Sequence, residues 1–276
     1  MSIALVCIVK NERKALAEWL AYHLALGIDR IIAFDNDSDD GTRDYLQALA
    51  RDYPVEIIPW PSRPGESPQR SAYAWAIPNR LQAFDWALFI DCDEFLVLHD
   101  DADIGSFLKR FGDDVGAIGL NWLTFGSSGR ETADYELVTR TFRMGPPAVF
   151  HNNHHIKTLA RVAMLQGQQV HHAETAGRYV YADGSDLAWG HTRGISSDIR
   201  HGGAQLNHYQ VKSHAEFAAK MARGRAGTWP DLPDRFRTPE EAQALFRALD
   251  RNTHEHTHLD VLPPRFAELY AGMALR

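Results

Sequence analysis

Three carboxylates stand within four residues where an apolar segment ends, in the sequence WALFIDCDEFLVL. The apolar residues before them are typical of a buried strand, and Asp91, Asp93 and Glu94 follow it directly. Negative charges beside a core are costly unless a positive group binds them. Because alternate side chains of an extended chain share one side, we expect Asp91 and Asp93 to face one hard divalent cation. A solvated acidic turn is the simplest alternative.

Two other predicted strands also end in polar residues. The segment VKNE, which contains Asn11, follows the first apolar run, and Asp35 opens the segment DNDSDDGT after the second. Turn formation alone accounts for many Asp, Asn, Ser and Gly residues at such places. Ligands of open α/β sheets, however, bind at the carboxyl ends of the strands. Three polar strand ends in one half of the chain therefore predict a ligand site at that edge.

The elements that position these residues alternate along the first 100 residues, which is typical of a mostly parallel sheet covered by helices. We predict strands at 3–9, 30–34, 55–59 and 86–90, with helices at 13–26, 42–51 and 69–84. Farther on, a strand is predicted at 115–123 and short irregular strands at 130–210. Thr238, Pro239 and Glu241 form the pattern of a capping box with proline at the first helical position, so a helix is expected to begin there.

Composition narrows the class of protein. The chain has 276 residues, a formal net charge of −7 and two cysteines, Cys7 and Cys92, both in apolar runs. The charge argues against a nucleic-acid binder, and the cysteines against a disulfide framework, so a cytoplasmic protein is expected. No segment reaches the roughly 20 apolar residues of a membrane span, and the apolar start lacks the basic residues of a signal peptide. Peripheral membrane association stays open.

Taken together, the motifs VKNE, DNDSDDGT and DCDEF resemble the nucleotide-binding half of family-2-like GT-A glycosyltransferases. The segments NWLTFGSSG, HHIKTLAR and LNHYQVKSHAEFAAKMARGRA resemble the bacterial branch related to glycosyltransferase family 92. This resemblance runs from about residue 2 to residue 227 and implies an α/β fold of the GT-A, Rossmann-like type, with a mostly parallel sheet flanked by helices. It implies a glycosyltransferase domain at 1–227, divided into a nucleotide-binding half at 1–100 and an acceptor half at 101–227. The helices after it match no motif of the family and are predicted from the residue pattern to form a small C-terminal helical extension at 228–276.

The resemblance also implies a set of site residues. Nucleotide-sugar binding is expected from Val9, Asn11, Asp35 and Asp91, and coordination of Mn²⁺ or Mg²⁺ from Asp91, Asp93 and His208. A divalent ion would neutralise the charge that builds on the leaving diphosphate. Lys157, Lys212 and Arg223 are candidates for further positive charge beside that diphosphate.

The general base is left open by the sequence. An inverting transfer needs a group within roughly 3 Å of the acceptor hydroxyl that takes its proton. Glu94, Glu131 and His155 are the first candidates, and Asp134 and His172 are further ones. Trp122 and Phe125 could either stack on a sugar or belong to the core. The histidine groups HNNHH and QVHH could form a zinc site, but they lack cysteine partners and a helical HxxxH spacing. The segment THEHTH is interpreted as a solvated loop.

These observations predict a metal-dependent hexosyltransferase. It would move a sugar from a nucleotide-diphosphate donor, UDP-linked, to a glycan or lipid-linked acceptor with inversion, and would not bind nucleic acid. A sugar-nucleotide nucleotidyltransferase is one alternative, but it would carry a glycine-rich turn that VKNERK lacks. A phosphatase with the DxD on its first strand is set aside, because this DxD follows the fourth. An inactive nucleotide- or carbohydrate-binding module is disfavoured by the three acids of DCDEF.

Overall fold

The computed structural model describes residues 1–223 and 238–276. Its first part alternates strands and helices as expected from the sequence. The elements are β1 (Ile3–Val9), α1 (Arg13–Ala25), β2 (Arg30–Asp35), α2 (Thr42–Leu49), β3 (Val55–Pro59), α3 (Pro68–Arg80) and β4 (Trp86–Phe89). Strands β3, β2, β1 and β4 lie side by side in that order and all run parallel.

The second part contains shorter elements. They are β5 (Glu94–Leu98), α4 (Ile104–Leu108), β6 (Val115–Thr124), α5 (Val138–Thr141), β7 (Met144–Gly145), β8 (Ile156–Arg161), β9 (Leu165–Gln168), β10 (Ala173–Thr175), β11 (Arg178–Tyr181), β12 (Ala204–His208), α6 (His214–Arg223), α7 (Pro239–Leu249), β13 (His254–Glu255) and α8 (Phe266–Ala274).

One sheet joins both parts, in the order β3-β2-β1-β4-β8-β6-β12-β5, with β11 also paired to β6. Strand β8 runs antiparallel to both β4 and β6, and β5 runs antiparallel to β12. The other pairs in this sheet are parallel. Strands β1, β2, β4, β6 and β12 therefore end at the same edge. The predicted α/β class, a mostly parallel sheet flanked by helices, is confirmed.

The sheet is buried on both faces, which explains why its strands are continuous apolar runs. Along β1, Leu5 and Cys7 belong to the larger hydrophobic cluster, whereas Val6 and Ile8 belong to the cluster on the opposite face. Helix α1 inserts Trp19 into the first cluster, and α3 inserts Tyr73 into the second. This packing on both sides holds the strand ends rigidly at one edge.

The C-terminal helices pack against the main sheet and its helices. The predicted capping box is confirmed, since the Thr238 side chain accepts from the Glu241 backbone and Glu241 accepts from the Thr238 backbone. Helix α7 packs on α6, α8 packs on α1, and β13 pairs with β7. The expected boundary between 227 and 228 lies outside the described residues, so the division stays a proposal. Within the described ranges, no helix has the length and apolar character needed to cross a bilayer.

Candidate active site

The segment DCDEF forms a turn between β4 and β5. The backbone N–H of Glu94 donates to the carbonyl of Asp91 at 3.0 Å, which closes the turn. The expectation that Asp91 and Asp93 lie on one side of an extended chain is therefore wrong, because the chain turns where β4 ends. The two carboxylates instead contact different cations.

Asp91 contacts a lysine that comes from the neighbouring strand β8. The Nζ of Lys157 lies 2.8 Å from Asp91 Oδ2, and Gln69 Nε2 donates to Asp91 Oδ1 at 2.7 Å. Lys157 is fully buried and also donates to the carbonyl of Val170 at 3.2 Å. Burial lowers the pKa of Lys157, but the charges of Asp91 and Glu94 outweigh it, so the net pKa is raised. In this conformation Lys157 reaches a ligand only through Asp91.

Glu94 lies beneath this pair. Its Oε2 accepts the backbone N–H of Asp91 at 2.8 Å and is 3.9 Å from Lys157 Nζ, while Oε1 has no hydrogen-bond partner in the described part of the chain. Burial, partly opposed by Lys157, raises the pKa of Glu94 well above its ordinary value. A fully buried carboxyl cannot contact an acceptor hydroxyl, so this location places Glu94 in the support of the turn.

Asp93 points in the other direction, towards α6 and the end of β12. Lys220 Nζ lies 2.5 Å from Asp93 Oδ2, and His208 Nε2 lies 3.5 Å from Asp93 Oδ1. Burial opposes ionisation of Asp93, but Lys220 and His208 outweigh it and hold its pKa well below the ordinary value. Burial lowers the pKa of His208, which favours the neutral, ligating form of its ring.

Asp93 and His208 fit two ligands of one divalent ion. Their facing atoms are 3.5 Å apart, which is less than twice a metal–ligand distance of about 2.1 Å. The pair supplies one carboxylate oxygen and one imidazole nitrogen. Asp91 does not join them, and the described ranges contain no cluster of three such ligands. Because Mg²⁺ is commonly held by one or two carboxylates plus substrate phosphates, a diphosphate could complete this site.

A cleft of about 140 Å³ opens beside Asp93, between the end of β1, the start of α1 and α6. Asn11, Lys212 and Lys220 are among the residues that line it. Asn11 and Lys212 both have a left-handed backbone, with φ of 55° and 52°, which is uncommon for residues other than glycine. Such conformations cluster at ligand sites. The structure thus brings three predicted site residues, Asn11, Asp93 and Lys212, to one cleft.

Asp35 ends the adjacent strand and is completely buried. Its Oδ2 accepts from Arg43 Nε at 2.7 Å, whereas Oδ1 has no hydrogen-bond partner among residues 1–223 and 238–276. A buried oxygen that lacks a partner is a candidate acceptor for a ligand N–H. Val9, at the end of β1, is buried, and its carbonyl accepts the N–H of Asn36 at 2.8 Å.

The remaining candidates separate clearly by location. Glu131 has a side chain that is 82% exposed, and its carboxylate lies 3.8 Å from Nδ1 of His214. The ring of Trp122 is stacked on His155, with centroids 4.7 Å apart, and is tilted against His208, with centroids 4.2 Å apart. Trp122 is therefore buried in a cluster of rings and does not form an open sugar platform. Phe125 is buried and stacks on Tyr209.

Three contacts to the candidate acids were missed by sequence reasoning. Lys220, Gln69 and Arg43 each contact an acid of the site, but nothing in their local sequence distinguishes them from surface residues. Lys220 lies within the segment LNHYQVKSHAEFAAKM, whose resemblance could have drawn attention to it. The side chain of Arg223, a candidate cation, lies outside the described residues.

Comparison with known proteins identifies relatives along most of the chain. The family model described as glycosyltransferase family 92 matches residues 4–176. A family 92 protein of Oryza sativa subsp. japonica is 28% identical over 151 residues, which are 53% of this chain and 25% of that protein. A family 92 protein of Arabidopsis thaliana is 26% identical over 227 residues, which are 77% of this chain and 36% of that protein. The chain thus matches about a third or less of the length of these curated relatives.

Solved structures show weaker likeness. S. aureus TarS 1-349 in complex with UDP-GlcNAc is 13% identical, with a TM-score of 0.38, over 59% of this chain and 46% of that one. Glucosyl-3-phosphoglycerate synthase from Mycobacterium tuberculosis, in complex with Mn²⁺, UDP and glucosyl-3-phosphoglycerate, is 17% identical, with a TM-score of 0.33, over 59% of this chain and 58% of that one.

Proposed function

The chain belongs to glycosyltransferase family 92, and we propose that it transfers a hexose from a nucleoside diphosphate sugar to a hydroxyl of a glycan or lipid-linked acceptor. One observation carries this proposal. Asp93 lies between His208 and Lys220 beside a cleft at the carboxyl edge of the parallel strands, where Asn11 and Lys212 also lie. Ligands of α/β sheets bind at this edge, and these residues suit a diphosphate with a divalent ion.

We assign the nucleobase to the end of strand β2, which pairs with the strand that ends beside the cleft. Asp35 is fully buried there, so its unpartnered Oδ1 accepts an N–H of the base only if the side chains above it move, while Arg43 holds the other oxygen in place. Uracil offers such an N–H, so UDP-linked hexoses are the first donors to test. Asn11, two residues after β1, lines the cleft, and its side chain donates to Asp39 in the loop after β2.

Asp93 and His208 would hold Mn²⁺ or Mg²⁺ on the diphosphate. When bound, the ion supplies Lewis-acid neutralisation of the charge that develops on the leaving phosphate. Lys212 and Lys220 line the same cleft and add positive charge next to it. Lys220 also contacts Asp93 directly, so it has to share this carboxylate with a bound ion.

The proposal is tested by titrating the chain with UDP in the presence and absence of Mn²⁺ in a calorimeter. We expect UDP binding to depend on Mn²⁺. We expect Asp93→Asn to weaken this binding about 100-fold, because the substitution removes both the negative charge of Asp93 and its carboxylate as a metal ligand. Asp113→Asn is the matched control, since Asp113 is fully exposed at the opposite end of β6.

Two outcomes would contradict the proposal. One is UDP binding with the same Kd in the presence and absence of Mn²⁺. The other is an Asp93→Asn variant that is folded by circular dichroism and binds UDP with Mn²⁺ as tightly as the Asp113→Asn control.

A further inference from the structure

Two histidines stand beside Trp122 near the edge that holds Asp93. His155 directly precedes β8, and His171 follows β9. Strand β6, which carries Trp122, lies between β8 and β12, so His155 and His208 approach Trp122 from the two sides of its strand. Ring centroids 4.7 and 4.2 Å from that of Trp122 place the two imidazoles less than 9 Å apart. The stack thus fixes His155 relative to the Asp93–His208 pair.

Backbone carbonyls determine the tautomers of both histidines. His155 Nδ1 lies 3.0 Å from the carbonyl oxygen of Asn152, and His171 Nδ1 lies 3.2 Å from that of Ile156. A carbonyl oxygen only accepts, so each Nδ1 carries the hydrogen and each neutral ring has its lone pair on Nε2. In the described part of the chain no group is hydrogen-bonded to either Nε2. Both rings therefore offer a proton-accepting nitrogen.

The surroundings distinguish the two rings. Burial lowers the pKa of His155, and His208, His151 and Lys157 act in the same direction. The pKa of His171 falls well below its ordinary value, because it is more deeply buried and faces Lys157, His155 and His208. A general base works best when its pKa is near the working pH. Both rings are partly exposed, but the pKa of His155 is less strongly lowered, so His155 meets this condition better than His171.

We propose that His155 is the general base of the transfer and that its Nε2 takes the proton of the acceptor hydroxyl. This assignment rests on the proposed function. The O–H bond of the acceptor breaks and its proton moves to Nε2. The oxygen electron pair forms the bond to the anomeric carbon, and the bond from that carbon to the diphosphate oxygen breaks, with its electron pair leaving on the diphosphate. Glu94 is too buried for this role, and Glu131 lies at the exposed surface.

The test is donor turnover by His155→Gln, which keeps a polar side chain without a basic nitrogen. UDP release is measured from UDP-glucose, UDP-galactose and UDP-N-acetylglucosamine with Mn²⁺, with water and methyl glucoside as acceptors. We expect kcat to fall about 100-fold, while the Kd for UDP with Mn²⁺ changes less than twofold. Added imidazole should restore part of the rate. His191→Gln, at an exposed histidine, is the control.

The outcomes separate this inference from the proposed function. If UDP with Mn²⁺ does not bind the unmodified chain, the proposed function fails. If it binds and His155→Gln keeps more than a third of the kcat of the unmodified chain, His155 is not the base. A loss that appears in the Kd for UDP rather than in kcat would also overturn the assignment.

A second measurement avoids any variant. Long-range ¹H–¹⁵N correlation spectra of the unmodified chain report which imidazole nitrogen carries hydrogen. We expect His155 to be the Nδ1–H tautomer at neutral pH. An Nε2–H tautomer would overturn the proposal, because Nε2 would then have no lone pair for the proton.

Discussion

The two sides of the DCDEF turn use the same chemical group differently. On the closed side, Asp91 contacts Lys157 and Gln69 above the buried Glu94. On the cleft side, Asp93 contacts Lys220 and His208 where ligands can enter. The cation of the closed side comes from a central strand, and that of the cleft side comes from a helix at the surface of the fold. We infer that the closed side stabilises the fold and that the cleft side binds.

Among the tests of this difference, we expect Lys157→Met to change the free energy of unfolding most. The variant keeps a long apolar side chain but removes the buried cation of Asp91 and Glu94. Breaking a buried pair costs about 3–5 kcal/mol, and we expect the lower end because Asp91 is one-third exposed. Urea unfolding measures the change, with Lys109→Met at the surface as control. A loss below about 1 kcal/mol would show that the closed side is not structural.

A smaller effect is expected from pH, through a histidine under β5. His23 is fully buried, its Nδ1 donates to the carbonyl of Trp19, and burial lowers its pKa to about 3. The unfolded chain takes up this proton near pH 6.5, so the stabilisation is complete above that pH and is lost as pH falls towards 3.

Proton uptake by His23 in the unfolded chain lowers the free energy of unfolding by about 2 kcal/mol between pH 8 and pH 5. We expect His23→Gln to lose about that much less stability than the unmodified chain over the same interval, as measured by urea unfolding at both pH values. Equal losses in the two chains would mean that His23 does not titrate between the folded and unfolded states.

The smallest effect concerns the cleft side. Lys220→Met should lower the free energy of unfolding by about 1 kcal/mol, less than Lys157→Met, because Lys220 is itself partly exposed and His208 still contacts the buried Asp93. It should also strengthen binding of Mn²⁺ alone about fivefold, since Asp93 no longer shares its charge with an ammonium group. Calorimetry with Mn²⁺ measures this. Weaker Mn²⁺ binding would indicate that Lys220 orders Asp93 rather than competing for it.

Features coded by neighbouring residues could be predicted from the sequence. The apolar run of β4 places DCDEF at the sheet edge, and the capping box at Thr238 depends on residues three apart. The directions of Asp91 and Asp93 could not be predicted. They depend on the turn and on Lys157 and Lys220, which are far away in sequence and reach the acids only through the packing of β8 and α6.

The family resemblance predicted one site residue that composition and periodicity did not. It pointed to His208, and the structure places that ring beside Asp93. Composition and periodicity alone do not single it out among 14 histidines. The stack of Trp122 between His155 and His208 needed the strand order, because β8 and β12 flank β6 although neither precedes nor follows it directly along the chain.

The pairing of β12 with β5 also determines when this edge of the molecule can form. His208 pairs in register with Glu94, more than one hundred residues earlier, and β12 is the strand that β5 pairs with in the described structure. Closing so long a loop is entropically costly and slow. During synthesis, Phe95, Leu96 and Val97 therefore remain an unpaired apolar strand until β12 has emerged. During this interval the unpaired strand can pair edge to edge with other chains, which favours aggregation.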